Sequence, residues 1–176
     1  GNSTVSFPEM RRGNIGLCLG TLIARYAKPT HPLGGWRSPE QAWGMVSAQL
    51  AWYQEMERQG EMRMIKSLGD FEDHLHQWEH STDYKSIGFL LTLEGADSIV
   101  TFDHLHLLFE KGLRAIGPAH YGPGTYAYGT DSEGSIGEKG RQLLREMDNL
   151  GIALDATHLC DTSFWEAMDC FSGVVW

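Results

Sequence analysis

The sequence has few of the residues that build disulfide-rich, zinc-knuckle or membrane-spanning proteins. Its 176 residues include only three cysteines, Cys18, Cys160 and Cys170, which are too widely spaced for a CxxC zinc motif or a disulfide framework. No apolar run approaches the roughly 20 residues that cross a bilayer, and the opening residues lack the pattern of a signal peptide. The sequence therefore predicts three reduced thiols and no membrane segment. It assigns no compartment, and of the alternatives it favours the cytoplasm.

Basic side chains are scarce as well. Lysine and arginine are outnumbered by acidic residues, 14 to 23, which gives a formal net charge of −9. Because an acidic surface repels a phosphate backbone, the composition argues against a nucleic-acid partner. The first predicted strand is not followed by GxGxxG, and the chain contains no Walker lysine motif. A doubly wound nucleotide-binding sheet therefore lacks its usual signatures.

What the chain does contain is a regular alternation of apolar runs and amphipathic segments. Strands are predicted over residues 13–23, 62–66, 86–93, 113–117 and 152–155, helices over 39–60, 69–80, 98–111, 138–150 and 162–171, and another strand begins at Val174. This alternation indicates parallel βα units. The predicted fold class is therefore α/β, a parallel (β/α)₈ TIM barrel. Since such a barrel usually needs about 250 residues, residues 1–176 are interpreted as a central fragment of five to six βα units, without the first and last strands.

Three of the predicted strands are followed by side chains that bind metals in other proteins. Glu94 ends the third strand, His120 lies just beyond the fourth, and His158 follows the fifth. Active sites of (β/α)₈ barrels lie at the carboxyl ends of the strands, so these three residues would meet at one rim. A carboxylate and two imidazoles are suitable as ligands of a divalent cation or as catalytic groups beside one. From spacing alone, hydrogen-bonded rim residues without a metal remain the alternative.

Other residues near these strand ends are candidates for supporting roles. Asp155 could orient an imidazole, or it could form an ordinary structural hydrogen bond. Asp97 and Ser98 are predicted to cap the helix that follows the third strand. The loop over residues 121–129, rich in glycine and tyrosine, could form a substrate-facing wall or an ordinary surface loop.

Longer stretches of the sequence match a known family. Residues 88–99, GFLLTLEGADSI, resemble the central motif of the membrane (renal) dipeptidase family, which are zinc-dependent (β/α)₈ hydrolases. The match continues through residues 105–114, His120, Gly137, EMDNLGI at 146–152 and DATH at 155–158. Several motifs in the family's order make the resemblance specific, and it covers roughly residues 13–176.

The resemblance implies a metallopeptidase that cleaves dipeptides with a water held between two Zn²⁺ ions at the barrel mouth. By position, Glu94 corresponds to the carboxylate that bridges the two ions, and His158 to a terminal ligand of one of them. His120 corresponds to the catalytic histidine that contacts the substrate, and Tyr121 lies beside it as a further substrate-binding candidate. Two cations sharing one carboxylate would also explain why a buried strand ends in Glu94.

The resemblance further implies that the family's site needs residues outside this chain. Family members carry a His-x-Asp pair on the first barrel strand, a further zinc histidine on the strand that begins here at Val174, and a later acidic residue for the substrate's amino group. This partial hydrolase domain is therefore expected to be inactive alone. We expect it to belong to a longer chain or to pair with a second copy, because an open sheet would leave unpaired edges.

Two other functions stay open at this point. A non-catalytic binding protein could have kept the barrel scaffold, although Glu94 without a cation would be costly to bury. Another amidohydrolase-like barrel is the second alternative. Such barrels use different ligand patterns, often with a lysine at a strand end, and no predicted strand here ends in lysine.

Overall fold

The computed structural model describes residues 5–28, 34–81 and 85–176. Helices and strands alternate through this part of the chain, which confirms the predicted α/β class. In chain order they are α1 (Phe7–Arg12), β1 (Leu17–Ile23), α2 (Pro39–Arg58), β2 (Met62–Met64), α3 (Leu68–His80), β3 (Ile87–Glu94), α4 (Phe102–Glu110), β4 (Leu113–Gly117), α5 (Gly137–Leu150), β5 (Ala153–Leu154) and α6 (Asp161–Met168). Helix α1 was not predicted, and α4 begins four residues later than expected because Ala96–Ser98 forms a separate 3₁₀ turn.

Local signals in the sequence fix where the helices begin and end. The Ser38 hydroxyl accepts a hydrogen bond from the Gln41 backbone N–H at 3.2 Å, and Pro39 occupies the first helical position of α2. Both features satisfy or avoid the unpaired N–H groups of a helix start. Helix α5 ends at Gly151, whose φ of 69° lies in the left-handed region that glycine adopts without strain. No helix in the described residues is long and apolar enough to span a bilayer.

The strands form one parallel sheet in the order β1-β3-β4-β5. A regular barrel would place each strand beside the next one in sequence, yet β2 pairs only with the first residues of β3. The backbone N–H of Ile87 donates to Glu61 O, whereas that of Gly88 donates to Gly16 O on the β1 side. Strands β2 and β4 therefore lie along the same edge of β3. Strand β2 pairs with the first residues of β3, and β4 pairs with its last residues.

The predicted sixth strand is also present at its start. Val175 forms a parallel bridge with Leu154, and Trp176 exchanges backbone hydrogen bonds with the β5 side of the sheet. At the opposite edge, the side-chain amide of Gln49 on α2 bonds both the N–H and the C=O of Ile23, each at 2.8 Å. Among the described residues no further strand pairs with this outer edge of β1, so the sheet is open.

Strand β4 contains one residue more than its partner needs. Leu91 lies opposite Leu113, but Thr92 lies opposite Ala115, so Arg114 is an extra residue in the register. Such a bulge changes the alternation of side chains along a strand. As a result Leu113 and Ile116, three residues apart, are both fully buried in the main core. The same shift places Gly117 opposite Glu94, with no side chain between that carboxylate and β4.

The core fills the space between the sheet and the surrounding helices. Phe89, Leu91 and Leu93 of β3 are buried together with residues of α2, α4 and α5. Helix α3 covers the amino ends of the strands, where His74 Nε2 lies 2.7 Å from Gly16 O. This packing closes one end of the sheet and leaves the carboxyl ends of the strands accessible, where the candidate side chains lie. The three cysteines are unpaired, as predicted.

Replacing either of two exposed glycines by alanine is sterically possible, but we expect the two replacements to change the stability of the chain in opposite directions. A Cβ atom added at Gly44 in the middle of α2, or at Gly151, would meet no atom within 4 Å. We expect Gly44→Ala to stabilise the chain by up to about 1 kcal/mol, because alanine favours the helix. Gly151→Ala should destabilise it by about 1 kcal/mol, because its φ of 69° disfavours a side chain. Urea denaturation midpoints measure both, and a shift of the two variants in the same direction would contradict this account.

Candidate metal centre

Glu94, His120 and His158 converge at the carboxyl ends of the strands. Glu94 is the last residue of β3, His120 follows β4, and His158 follows β5. The Oε1 atom of Glu94 lies 3.2 Å from His120 Nε2 and 3.0 Å from His158 Nε2. One potential ligand atom of each residue lies within 4.8 Å of the others, and all three side chains are half-buried. The structure thus brings together at one rim the two predicted metal ligands, Glu94 and His158, and the predicted catalytic residue His120.

His120 has a second polar neighbour that the sequence interpretation missed. The Nη2 atom of Arg25 lies 3.0 Å from His120 Nδ1. Burial lowers the pKa of His120; the Glu94 carboxylate opposes this shift, while the charges of His158 and Arg25 add to it. Burial thus favours the neutral form of the ring. Arg25 lies two residues beyond β1, so the strand-end rule that identified Glu94 could also have identified it.

His158 and Tyr121 complete this group of side chains. Thr130 Oγ1 lies 3.2 Å from His158 Nδ1, on the side of the ring away from Glu94. The rings of His120 and His158 meet edge to face with their centroids 4.5 Å apart, and the Tyr121 ring lies 4.7 Å from that of His120. Tyr121 is thus positioned next to both imidazoles, at the surface of the site.

Of the two roles considered for Asp155, the structure shows the ordinary structural hydrogen bond. Its Oδ1 atom accepts hydrogen bonds from the Thr157 backbone N–H at 3.0 Å and from the Thr157 hydroxyl at 2.5 Å. An aspartate commonly bonds the backbone two residues later in this way, which turns the chain. Asp155 therefore shapes the turn that leads to His158, and the group beside Nδ1 of that imidazole is the Thr130 hydroxyl.

Asp97 likewise has a different role from the predicted helix cap. The 3₁₀ turn places Asp97 four residues before Thr101, which is the actual cap of α4. The buried Asp97 carboxylate instead accepts backbone hydrogen bonds from Tyr26 at 3.0 Å and from Thr125 at 2.7 Å. It therefore connects the loop after β1 to the loop after β4. Ser98 is buried as well, and its hydroxyl makes no hydrogen bond among the described residues.

The glycine- and tyrosine-rich loop divides into two parts, and the buried second part does not fit the alternative of an ordinary surface loop. Tyr121 and residues 122–124 line a cavity of about 170 Å³ together with Arg25, Glu94 and His120. Tyr126, in contrast, is buried in the core. The first half of the loop is therefore a wall of the site, and the second half anchors it.

Comparison with known proteins identifies the family. The family of membrane dipeptidases (peptidase family M19) has a model that matches residues 1–172. An uncharacterised protein from the PQQ-III 3′ region of Acinetobacter calcoaceticus is 26% identical over 94 residues, which cover 48% of this chain and 30% of that protein. The match to the family model extends over nearly the whole chain, well beyond the segment shared with this relative.

Solved structures share the fold at low sequence identity. Dipeptidase AC, a metallopeptidase of family M19, superposes with a TM-score of 0.82 at 23% identity, covering 97% of this chain and 52% of that one. A metallopeptidase from Rhodobacter sphaeroides, solved with a phosphinate mimic of L-Ala-D-Ala, gives 0.84 at 21% identity and covers 99% and 55%. This chain therefore spans about half the length of these structures. The likeness confirms the predicted fold class, part of a (β/α)₈ barrel, and together with the family match it shows that the chain belongs to the membrane dipeptidase family, peptidase family M19.

Proposed function

We propose that the protein containing this chain hydrolyses dipeptides at a centre of two zinc ions bridged by Glu94. The observation that carries the proposal is the contact of one Glu94 oxygen with both His120 and His158. Family membership supports a metal-dependent peptidase, and the neighbour solved with a dipeptide mimic supports a small peptide substrate. Because this chain spans about half of such structures, the proposal concerns the complete protein.

The side chains present fit zinc. Nitrogen from imidazole and oxygen from carboxylate are regular zinc ligands, and their ligand atoms are close enough to share one ion. Glu94 has two carboxylate oxygens, which allows it to contact two cations. Gly117 lies opposite Glu94 in the sheet and adds no side chain to the space beside it. A half-buried carboxylate between two imidazoles also gains from a cation that balances its charge.

Each residue has a defined task in this proposal. Bound zinc would polarise the scissile carbonyl and lower the pKa of the attacking water. Glu94 and His158 would hold the metal, and the Thr130 hydroxyl is placed to orient the His158 ring. His120 lies beside Glu94 without needing to be a ligand, so its Nε2–H can donate to the oxygen that becomes negative in the transition state. Tyr121 forms part of the wall that the substrate would contact.

A comparison of the complete protein with the isolated 1–176 chain tests the proposal. We expect about two zinc ions per complete protein and hydrolysis of dipeptides that stops on chelation and returns with zinc. The isolated chain should bind less zinc and hydrolyse nothing, since the described residues offer only this one group of ligands. Elemental analysis and a panel of L,L- and L,D-dipeptides provide the measurements. A complete protein without zinc would instead favour a non-catalytic binding protein on the same scaffold.

Assembly is a separate part of the proposal. The open outer edge of β1 and the short strand at Val174–Trp176 leave backbone groups available for pairing. We propose that further strands of the complete protein cover these edges, and that the isolated chain pairs with a second copy. Light scattering of both proteins distinguishes the two situations.

A further inference from the structure

We propose that Arg25 is a positioning residue that keeps His120 a hydrogen-bond donor and prevents it from binding the metal. Two imidazoles, those of His120 and His158, contact the same Glu94 oxygen, and the proposal gives them different roles: His158 binds the metal and His120 donates a hydrogen bond. It rests on the proposed zinc site, because the consequence for catalysis requires that site. Its structural part, the position of the proton on the His120 ring, can be measured without catalysis.

The contact between Arg25 and His120 determines which nitrogen of the imidazole can carry a proton. Arg25 Nη2 lies 3.0 Å from His120 Nδ1, and the two residues come from loops 95 positions apart in the sequence. A guanidinium group carries only donors. Its partner nitrogen must therefore accept, so Nδ1 has no proton and the proton of the neutral ring lies on Nε2.

The other side of the ring requires the same arrangement. His120 Nε2 lies 3.2 Å from Oε1 of Glu94. An ionised carboxylate only accepts hydrogen bonds, so it also favours a proton on Nε2. A nitrogen that carries its proton has no lone pair for a metal ion. With Nδ1 engaged by Arg25, neither nitrogen of His120 is available as a ligand, although its distance from Glu94 and His158 would permit one.

His158 has a different neighbour at Nδ1. Its Nδ1 faces the Thr130 hydroxyl at 3.2 Å, and a hydroxyl can accept as well as donate. His158 can therefore hold its proton on Nδ1 and leave the lone pair of Nε2 free. This is the arrangement usual for a zinc-binding histidine, whose other N–H donates to a neighbouring oxygen. Both rings face the same Glu94 oxygen through Nε2, so the difference between them lies at Nδ1. His120 meets a group there that can only donate, whereas His158 meets a hydroxyl that can also accept.

The structure also holds Arg25 in place. The backbone C=O of Arg25 accepts from Trp36 N at 2.8 Å, and the next N–H, that of Tyr26, donates to the buried Asp97 carboxylate at 3.0 Å. Among the residues that the structure describes, no carboxylate forms an ion pair with Arg25. Within this part of the chain, the imidazole of His120 is therefore the defined partner of the guanidinium.

The test compares Arg25→Met, Arg25→Lys and the control Arg37→Met in the complete protein. Arg37 is exposed in the same region of the chain. Nitrogen-15 NMR of the histidine rings, with and without zinc, reports which nitrogen carries the proton. We expect the Nε2–H form of His120 in the native protein and in R37M, and a shift towards the Nδ1–H form in R25M. Lysine keeps a donor, so R25K should recover part of the native signal.

Kinetics give the second measurement. R25M should lower kcat by about 10- to 100-fold, as for other residues that orient a histidine in a metal site, with KM nearly unchanged. Unchanged His120 signals in R25M would overturn the proposal. So would a rise in KM at constant kcat, because Arg25 would then bind the substrate's carboxylate directly. If the complete protein hydrolyses no dipeptide, the NMR result still decides the role of Arg25.

Discussion

Glu94→Gln is expected to remove zinc-dependent stabilisation and at least about a thousandfold of kcat/KM from the complete protein. Glutamine keeps the size of the side chain and an oxygen that can accept from both imidazoles, but it has no charge and cannot bridge two cations. A bound metal contributes several kcal/mol to the transition state, and about 4 kcal/mol corresponds to roughly a thousandfold in rate. Zinc at a hundred times its Kd should raise the stability of the native protein by about 2.7 kcal/mol, and E94Q should lose this increase.

The matched control for this change is Glu110→Gln. Glu110 is an exposed carboxylate at the end of α4, outside the site. It should leave zinc content, zinc-dependent stability and activity at native values. Melting curves with and without zinc, together with elemental analysis, provide the comparison. If E94Q still bound two zinc ions per protein, the bridging role of Glu94 would be wrong.

Asp97→Ala is expected to have the second large effect. The Asp97 carboxylate accepts hydrogen bonds from two loops, the one that carries Arg25 and the one that follows His120. Asp97→Ala leaves the N–H groups of Tyr26 and Thr125 without their acceptor in a half-buried region. Each of the two donors left unsatisfied costs about 1 to 3 kcal/mol, so the free energy of unfolding should fall by about 2 to 6 kcal/mol. Urea denaturation measures the loss. Because both loops border the site, zinc affinity should fall as well.

Asp103→Ala separates this effect from the loss of any aspartate. Asp103 is exposed in the first turn of α4, so its removal should change stability by no more than about 0.5 kcal/mol. Asp97→Asn keeps one acceptor oxygen and should lie between the alanine variant and the native protein. A D97A variant as stable as D103A would show that water replaces the carboxylate at both N–H groups.

The position of the candidate site followed from the sequence because it depends on one general rule. Parallel strands that alternate with helices place their carboxyl ends at the same side of the sheet. Glu94, His120 and His158 each follow a strand that the apolar pattern predicted, so their convergence required only the correct strands. The start of α2 at Ser38 and the end of α5 at Gly151 could be predicted for a similar reason, since each depends only on residues adjacent in sequence.

What the sequence could not predict depends on contacts between distant segments. Asp97 was assigned as a helix cap from its neighbours, but its acceptors are used by backbone groups 71 and 28 residues away. Arg25 and Thr130 reach their imidazoles from loops whose course no local pattern specifies. The pairing of β2 with the start of β3 is of the same kind, because a three-residue strand offers too few side chains to indicate its partner.

In a relative of this chain, one residue of β4 could be deleted at a single position without moving the remaining side chains to the opposite face of the sheet. Loss of Arg114 would leave Leu113 and Ile116 on their present faces and Gly117 opposite Glu94, at the cost of the hydrogen bonds from Arg114 to Lys66, Phe109 and Leu113. Loss of a residue after Arg114 would shift the pairing with β3 and bring another side chain opposite the carboxylate. When sequences of this family are aligned, a one-residue gap in this strand therefore belongs at Arg114, and length differences elsewhere belong in the loops.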